Sequence, residues 1–369
     1  MKIAYDYQAF TIQSYGGISR YYKDLTDELL KQGQEVNIFA GVHRNNYISL
    51  LPKGVVRGIK LDRYPPKSRW AFRWLNHGIS QLQLQRWKPD IIHETYYTPL
   101  PVLKTNAVHL TTVHDMIHEL YASLLSSRDI TSNLKKKTLS RVDHIMSNSE
   151  HTKQDLVKLF GIDESKISVV HHAIDSSLFQ NVVSNFDISS KPYLLYVGSR
   201  DGYKNFSGLI KAVASSSLLM RDFDVITVGT RFSTVEKNLI SSLGFANNQV
   251  KRISYLTDMK LAQFYRNAAA FIYPSLYEGF GLPPLEAMSA GCPVVCSNTG
   301  SMPEVVRNAG VYFNPLDIEE MRNAIERVVF SEDLKNQLVT LGYENIKNFT
   351  PSKTASKTLE VYRRLTGKI

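Results

Sequence analysis

From Tyr277 to Met288 the chain reads Tyr-Glu-Gly-Phe-Gly-Leu-Pro-Pro-Leu-Glu-Ala-Met, which sets Glu278 and Glu286 on either side of a glycine turn that runs into a helix. Gly279 and Gly281 permit close backbone approach, and Pro283 and Pro284 suit a first helical turn, where a missing N–H costs nothing. The N–H groups that such a turn leaves unpaired face an incoming anion, as in a phosphate cradle. Glu286, inside the first turn, can accept hydrogen bonds from neighbouring hydroxyls such as those of a ribose, while Glu278 faces whatever the phosphate carries. Phosphate, diol and a further polyol together describe a nucleotide sugar. The same residues also fit an ordinary helix N-terminus whose acids are favoured by the macrodipole. A glycoside hydrolase fits less well, because its two carboxyls face each other across a sugar ring at about 5 to 9 Å, and here a capping turn separates them.

Other chemistry-bearing residues fall at the ends of apolar runs. Gly16 and Gly17 precede the first amphipathic stretch, so their N–H groups could meet a phosphate or an acceptor. Tyr196 to Asn205 reads Tyr-Val-Gly-Ser-Arg-Asp-Gly-Tyr-Lys-Asn and carries Arg200 and Lys204 four apart, a forked and a point cation suited to a diphosphate. As solvated charges the two would carry no function. His114-Asp115 with His118 and Glu119 could pass for metal ligands, and Asp222-Phe223-Asp224 matches the Asp-x-Asp of metal-dependent sugar transferases. Both metal readings are poor: Asp224 opens an apolar strand, and the histidine cluster has no second ligand group at a recognised spacing. His171-His172 reads as hinge structure.

The elements that must position these residues alternate. Apolar runs at Ile3–Tyr5, Glu35–Ala40, Asp90–His93, Val108–Val113, Asp143–Ser147 and Ile167–Val170 are interleaved with helical patterns such as Ile18–Gln32. The second half repeats the alternation at Tyr193–Val197, Asp224–Val228, Val250–Ser254, Ala270–Tyr273, Pro293–Cys296 and Val311–Phe313. Alternation of this kind implies α/β architecture, two doubly wound parallel sheets wrapped by helices. At 369 residues the chain exceeds the size of one core. The expected division is residues 1–175, a polar linker 176–191, and 192–350, with a last helix from about 352 to 369 after the break at Thr350-Pro351. Ligands of such sheets bind beyond the carboxyl ends of the strands, which places the site in a cleft between the two domains.

Cys292 and Cys296 flank Pro-Val-Val in a short strand and read as core thiols in a reducing compartment. No apolar run has signal-peptide or membrane-spanning length, so a cytoplasmic protein is expected. The net charge is +10, and residues 53–88 hold nine Lys or Arg against one acid, Asp62. Trp70, Trp74 and Trp87 lie there too, with Arg69, Arg73 and Arg86 beside them. Such a surface could rest on anionic headgroups at the inner face of the cytoplasmic membrane. The plain alternative is a helix with its aromatics in a core. Nucleic acid is not expected, since no nucleic-acid motif accompanies the patch.

Together the Glu278-x7-Glu286 element, Gly198 to Asn205, Gly16-Gly17, His114-Asp115 and His-His-Ala-Ile-Asp at 171–175 resemble the retaining glycosyltransferases of family 4, which have the two-domain GT-B fold. The match runs over nearly the whole chain and is most like bacterial mannosyltransferases of O-antigen and exopolysaccharide assembly. The resemblance implies two Rossmann-like domains facing a central cleft, the first binding acceptor and the second the nucleotide sugar, with the last helix crossing back to the first. It implies that Glu286 binds ribose and that Arg200 and Lys204 bind the diphosphate. Gly279, Phe280, Gly281 and Leu282 would form the turn that holds the distal phosphate and sugar through backbone N–H groups, Glu278 would hold the sugar near its C3 hydroxyl, and His114 would orient the C6 hydroxyl. Glu278, His114, Arg200 and Lys204 are then the catalytic set. No obligate metal or other cofactor is implied. The donor expected first is GDP-mannose and second a UDP-sugar, and the acceptor a growing glycan or lipid-linked saccharide. Rival readings are an epimerase or phosphorylase on the same fold, or a silent scaffold of a polysaccharide assembly complex.

Overall fold

The computed structural model describes residues 1–100, 105–124, 126, 128–180, 189, 191–254 and 256–368, apart from the side chain of Arg69. The chain divides into two compact units, Met1–Glu119 with Ser126–Ala173 and Pro351–Ile369, and Leu120–Leu125 with Ile174–Thr350. Strands of the first unit are β1 (Lys2–Tyr5), β2 (Glu35–Ile38), β3 (Val42–His43), β4 (Ile59–Lys60), β5 (Ile91–Glu94), β6 (Val108–Val113), β7 (His144–Ser147) and β8 (Ile167–Val169). Those of the second are β9 (Tyr193–Val197), β10 (Asp224–Val228), β11 (Val250–Ile253), β12 (Ala270–Tyr273), β13 (Val294–Ser297) and β14 (Gly310–Phe313).

The first sheet runs β2-β1-β5-β6-β7-β8 and the second β11-β10-β9-β12-β13-β14, with every pairing parallel. Strands covered on both faces carry continuous apolar runs, as in Tyr193–Val197 and Ala270–Tyr273. In each sheet the order reverses beside its first strand: β1 has β2 on one side and β5 on the other, and β9 has β10 and β12. Such reversal points leave a crevice at the carboxyl ends of the strands. The short pair β3 and β4 needs Gly58, where an added Cβ would sit 1.9 Å from the Ala40 carbonyl oxygen.

Helix Gly17–Lys31 buries Tyr22, Leu25, Thr26 and Leu29, the spacing of one helical face. It packs against the last helix, Pro351–Thr366, which opens on proline after the break at Thr350 and belongs to the first unit. Thr354, Ala355 and Thr358 are buried small residues on that helix and allow close approach. Its Tyr362 hydroxyl lies 2.6 Å from His93 Nδ1, while His93 Nε2 meets the Thr112 hydroxyl at 2.8 Å. This buried chain fastens the C-terminus to the strands at the centre of the sheet.

Some expectations need correction. The start of the expected linker is folded: Ser177–Gln180 is a helical turn, and Ile174 and Phe179 are core residues of the second unit; 181–188 and 190 lie outside the described residues. The aromatics of 53–88 divide. Trp70 and Trp74 on helix Arg69–Trp87 are 72% and 49% exposed, whereas Trp87 is half-buried and packs edge-on against Phe39 at 5.5 Å. Trp87 is thus core, because the end of that helix lies against β2 and the following loop. Cys292 and Cys296 are buried free thiols. Among the described residues no helix is long and apolar enough to cross a membrane.

Burial pushes the His93 imidazole down to about 3, so the ring is neutral in the fold. In the unfolded chain it takes up a proton below about pH 6.5, so its contribution is full above that pH and is lost as pH falls toward 3. The stability advantage of wild type over His93→Gln in urea unfolding should shrink by about 1.4 kcal/mol per pH unit between roughly pH 6 and pH 4. An advantage that does not change with pH contradicts a buried neutral ring.

Candidate active site

At the reversal point of the second sheet, the segments after β9 and β12 are joined by an ion pair. Lys204 Nζ lies 2.7 Å from Glu278 Oε1, with the two side chains 16% and 9% exposed. Lys204 comes from the turn Gly202–Lys204, which follows β9, and Glu278 from the loop that follows β12. The Leu276 N–H donates to the Tyr203 carbonyl at 2.7 Å and fastens the same two loops. The ammonium also lies 5.3 Å from the Tyr203 ring and 5.7 Å from that of Tyr273. Burial, and after it the Glu278 charge, holds the Tyr273 phenol well above its ordinary range, so it stays protonated.

Arg200 leaves the same strand but is more enclosed than a cation at a strand mouth is expected to be. Its guanidinium donates from Nε to Glu236 at 2.6 Å and from Nη2 to the Thr230 carbonyl at 2.6 Å. The Phe232 and Phe206 rings lie 4.7 and 5.5 Å away, and the side chain is 2% exposed. Nη1 is buried without a protein partner, leaving that nitrogen, with its two N–H groups, to offer. Burial works against the Glu236 charge, yet the Ser233 groups and Arg200 hold its carboxyl below the ordinary value. Sequence patterning did not single out Glu236, although Ser233-x-x-Glu236 is a capping-box signal and both of its hydrogen bonds form.

The glycine turn has the geometry its sequence suggests. Gly281 caps helix Leu282–Ser289 at φ 119°, a region L side chains avoid, and an added Cβ would meet Met302 Cε at 2.4 Å. Ser301 pins the turn by donating from its hydroxyl to the carbonyls of Phe280 and, at 3.0 Å, Glu278. Leu282 retains an N–H that has no acceptor within the helix, whereas Pro283 and Pro284 have none to place. Glu286 is half-buried and accepts from the Tyr265 hydroxyl at 2.9 Å, which fixes the carboxylate. Tyr121 lies within 5.8 Å of Tyr203 and 6.1 Å of Tyr277, ring centre to ring centre. The contact is invisible in sequence, because Leu120–Leu125 comes from the first half of the chain and folds with the second unit.

In the first unit, His114 follows β6 and is buried. Its Nδ1 lies 3.0 Å from His172 Nε2 with the rings stacked at 5.1 Å, and Asn148 donates to its carbonyl at 2.6 Å. Burial pushes His114 down to about 3 and His172 well below its ordinary value, so a single proton lies between two neutral rings. His172, which reads as hinge structure in sequence, is therefore the orienting partner of His114. The remaining candidate ligands disperse: His118 pairs with Asp129, Glu119 with the buried Lys135, Asp222 with Arg221, and Asp224 with Lys251. Gly16 caps helix Gly17–Lys31 in extended backbone, and the Ser19 N–H of that helix is taken by Gln13 Oε1 at 3.1 Å.

Two doubly wound parallel units, one carrying a cation and carboxylate set at its reversal point beside a glycine-opened helix, define a GT-B glycosyltransferase. Residues 182–345 match the family model described as Glycosyl transferases group 1, and residues 15–178 the model described as Glycosyltransferase Family 4. O-antigen chain mannosyltransferase B of Escherichia coli is 26% identical over 376 residues, which cover 95% of this chain and 96% of that protein. The fold aligns with sucrose-phosphate synthase from Thermosynechococcus elongatus at a TM-score of 0.79 and 21% identity, over 100% of both chains. It aligns with Anabaena Alr3699/HepE, solved in complex with UDP and glucose, at 0.74 and 17% identity, over 99% of this chain and 100% of that one. Between them the two models run from residue 15 to 345, and the chain is a glycosyltransferase with the GT-B fold.

Proposed function

We propose that this glycosyltransferase moves mannose from GDP-mannose, with retention of configuration, onto a hydroxyl of a growing glycan or lipid-linked saccharide. The observation that carries the donor assignment is the Lys204–Glu278 pair at the reversal point of the second sheet, beside the turn capped by Gly281. Lys204, the Nη1 group of Arg200 and the helix N-terminus face the diphosphate, Glu286 the ribose, and Glu278 the sugar. His114, held neutral by burial and oriented by His172, attends the C6 hydroxyl. The mannose choice is supported by the O-antigen chain relative from Escherichia coli.

The proposed chemistry runs on one face of the sugar. The bond from C1 to the diphosphate oxygen breaks, an oxocarbenium-like sugar forms, the acceptor oxygen attacks from the side the diphosphate leaves, and a departing phosphate oxygen takes its proton. Positioned cations that stabilise the growing phosphate charge supply most of the acceleration. Calorimetry against GDP, UDP, ADP and dTDP should show GDP bound most tightly, and Glu286→Ala should raise its dissociation constant by about tenfold or more, since charge-assisted hydrogen bonds are worth roughly 1.5 to 3 kcal/mol. An unchanged constant sinks the ribose assignment, and a β-linked product from GDP-mannose sinks retention.

The same reading places the enzyme in the cytoplasm, peripherally on the inner face of its membrane. Support comes from Trp70 and Trp74, which pack edge-on at 6.3 Å while remaining exposed, and from the exposed Leu75 on the same helix. Amphipathic aromatics flanked by cations suit an anionic headgroup layer. Replacing both tryptophans by Ala should abolish co-sedimentation with phosphatidylglycerol vesicles while leaving GDP binding intact. Equal sedimentation of wild type and variant removes the membrane assignment.

A further inference from the structure

The first sheet also reverses its strand order, between β1 and β5, and the crevice there is an open pocket of about 210 Å³. Its floor comes from the segments that follow those two strands: Tyr7 and Gln8 after β1, Tyr96 and Tyr97 after β5. The two segments are fastened by the Asp6 carboxylate, which accepts from the Thr95 N–H at 2.9 Å and from its hydroxyl at 2.6 Å. The crevice is thus built as the donor crevice of the second sheet is, by side-chain bonds across the reversal point.

Its chemistry differs from that of the donor crevice. Tyr64 and Phe72 stack at 4.5 Å and 10°, Tyr96 and Tyr97 lie 4.7 Å apart, and all four line the pocket. Flat aromatic faces cover the apolar C–H face of a pyranose, while Thr11 offers a hydroxyl beside them. Arg44 and Arg73 line the same pocket. Arg44 is held by the Ile12 carbonyl with Nε buried and unpartnered, and Arg73 reaches the Thr98 hydroxyl at 3.3 Å. Among the described residues neither arginine pairs with a carboxylate. Of the nearby acids, Glu94 is bound by Arg141, with one bond at 2.6 Å, and Asp6 is occupied by Thr95 and Gln8. Two forked cations left uncompensated beside aromatic walls call for an anion attached to a sugar.

We propose that this pocket binds the phosphorylated end of a saccharide, a glycosyl phosphate or diphosphate, as the acceptor of the transferase. The inference rests on the donor reading of the second unit and names the acceptor class for it. Two sources share that chemistry, a soluble sugar phosphate and a saccharide on a polyprenyl diphosphate. The second is favoured by Trp70 and Trp74, which lie within two residues of the pocket residues Phe72 and Arg73 on one helix.

With the donor site saturated by GDP, mannose 1-phosphate, methyl α-mannoside and inorganic phosphate are titrated calorimetrically into wild type, Arg44→Gln, Arg73→Gln and Arg73→Lys. In a second arm, polyprenyl-diphosphate mannose in phosphatidylcholine vesicles replaces the soluble sugar phosphate. Arginine-dependent binding in either arm supports the proposal and identifies the source: each Gln variant should weaken it at least tenfold, Arg73→Lys less, with GDP affinity and melting temperature unchanged. The proposal is overturned if both Gln variants bind the sugar phosphate as wild type does, if methyl α-mannoside binds as tightly, or if a second equivalent of GDP fills the pocket. A wild type that takes up no GDP defeats the donor reading. One that takes up GDP but ignores the sugar phosphate in both arms defeats the pocket alone.

Discussion

The second unit is organised around a pair of opposite charges taken largely out of water. Burying Lys204 and Glu278 costs several kcal/mol per ion, which their attraction repays only while both are present; removing one partner of such a pair costs about 3 to 5 kcal/mol. The pair therefore contributes little net stability, but it ties the loop after β9 to the loop after β12 at the point where the strand order reverses. That is where a parallel sheet leaves room for a ligand. In the proposed function, an arriving diphosphate would meet a lysine already aimed and largely desolvated by its carboxylate partner.

Arg200 shows a different arrangement of a similar cation. Sandwiched between Phe206 and Phe232, and held by Glu236, it keeps one nitrogen, Nη1, without a protein partner. Its position is set before any ligand arrives, and preorganised charge of this kind is worth most where charge grows during reaction. Glu236 both caps its own helix and holds Arg200, so the orientation of a cation depends on a helix start some thirty residues away.

Alternation of apolar runs made both sheets legible, because strands buried on two faces leave little freedom in composition. Boundaries moved by a residue or so, as at β5, which runs Ile91–Glu94 where Asp90–His93 was expected. The glycine turn was legible as well, since Gly281 and Pro283 each satisfy a local backbone requirement. What sequence did not reveal depends on long-range meetings: Tyr265 on Glu286, His172 on His114, and Tyr121 beside Tyr203. The tryptophan segment was half legible, because composition gives an aromatic helix but not which face meets the core. Trp87 turned inward against Phe39 while Trp70 and Trp74 did not.

The central claim is that Lys204 and Glu278 act as a unit in holding the donor. A double-mutant cycle with Lys204→Met, Glu278→Gln and the combined variant, read as kcat/KM for transfer from the nucleotide sugar, tests it most directly. Contacting groups of this kind should show a coupling of about 1 kcal/mol or more. Effects that add to within roughly 0.3 to 0.5 kcal/mol would mean that the two residues act separately and that the pair does not organise the site.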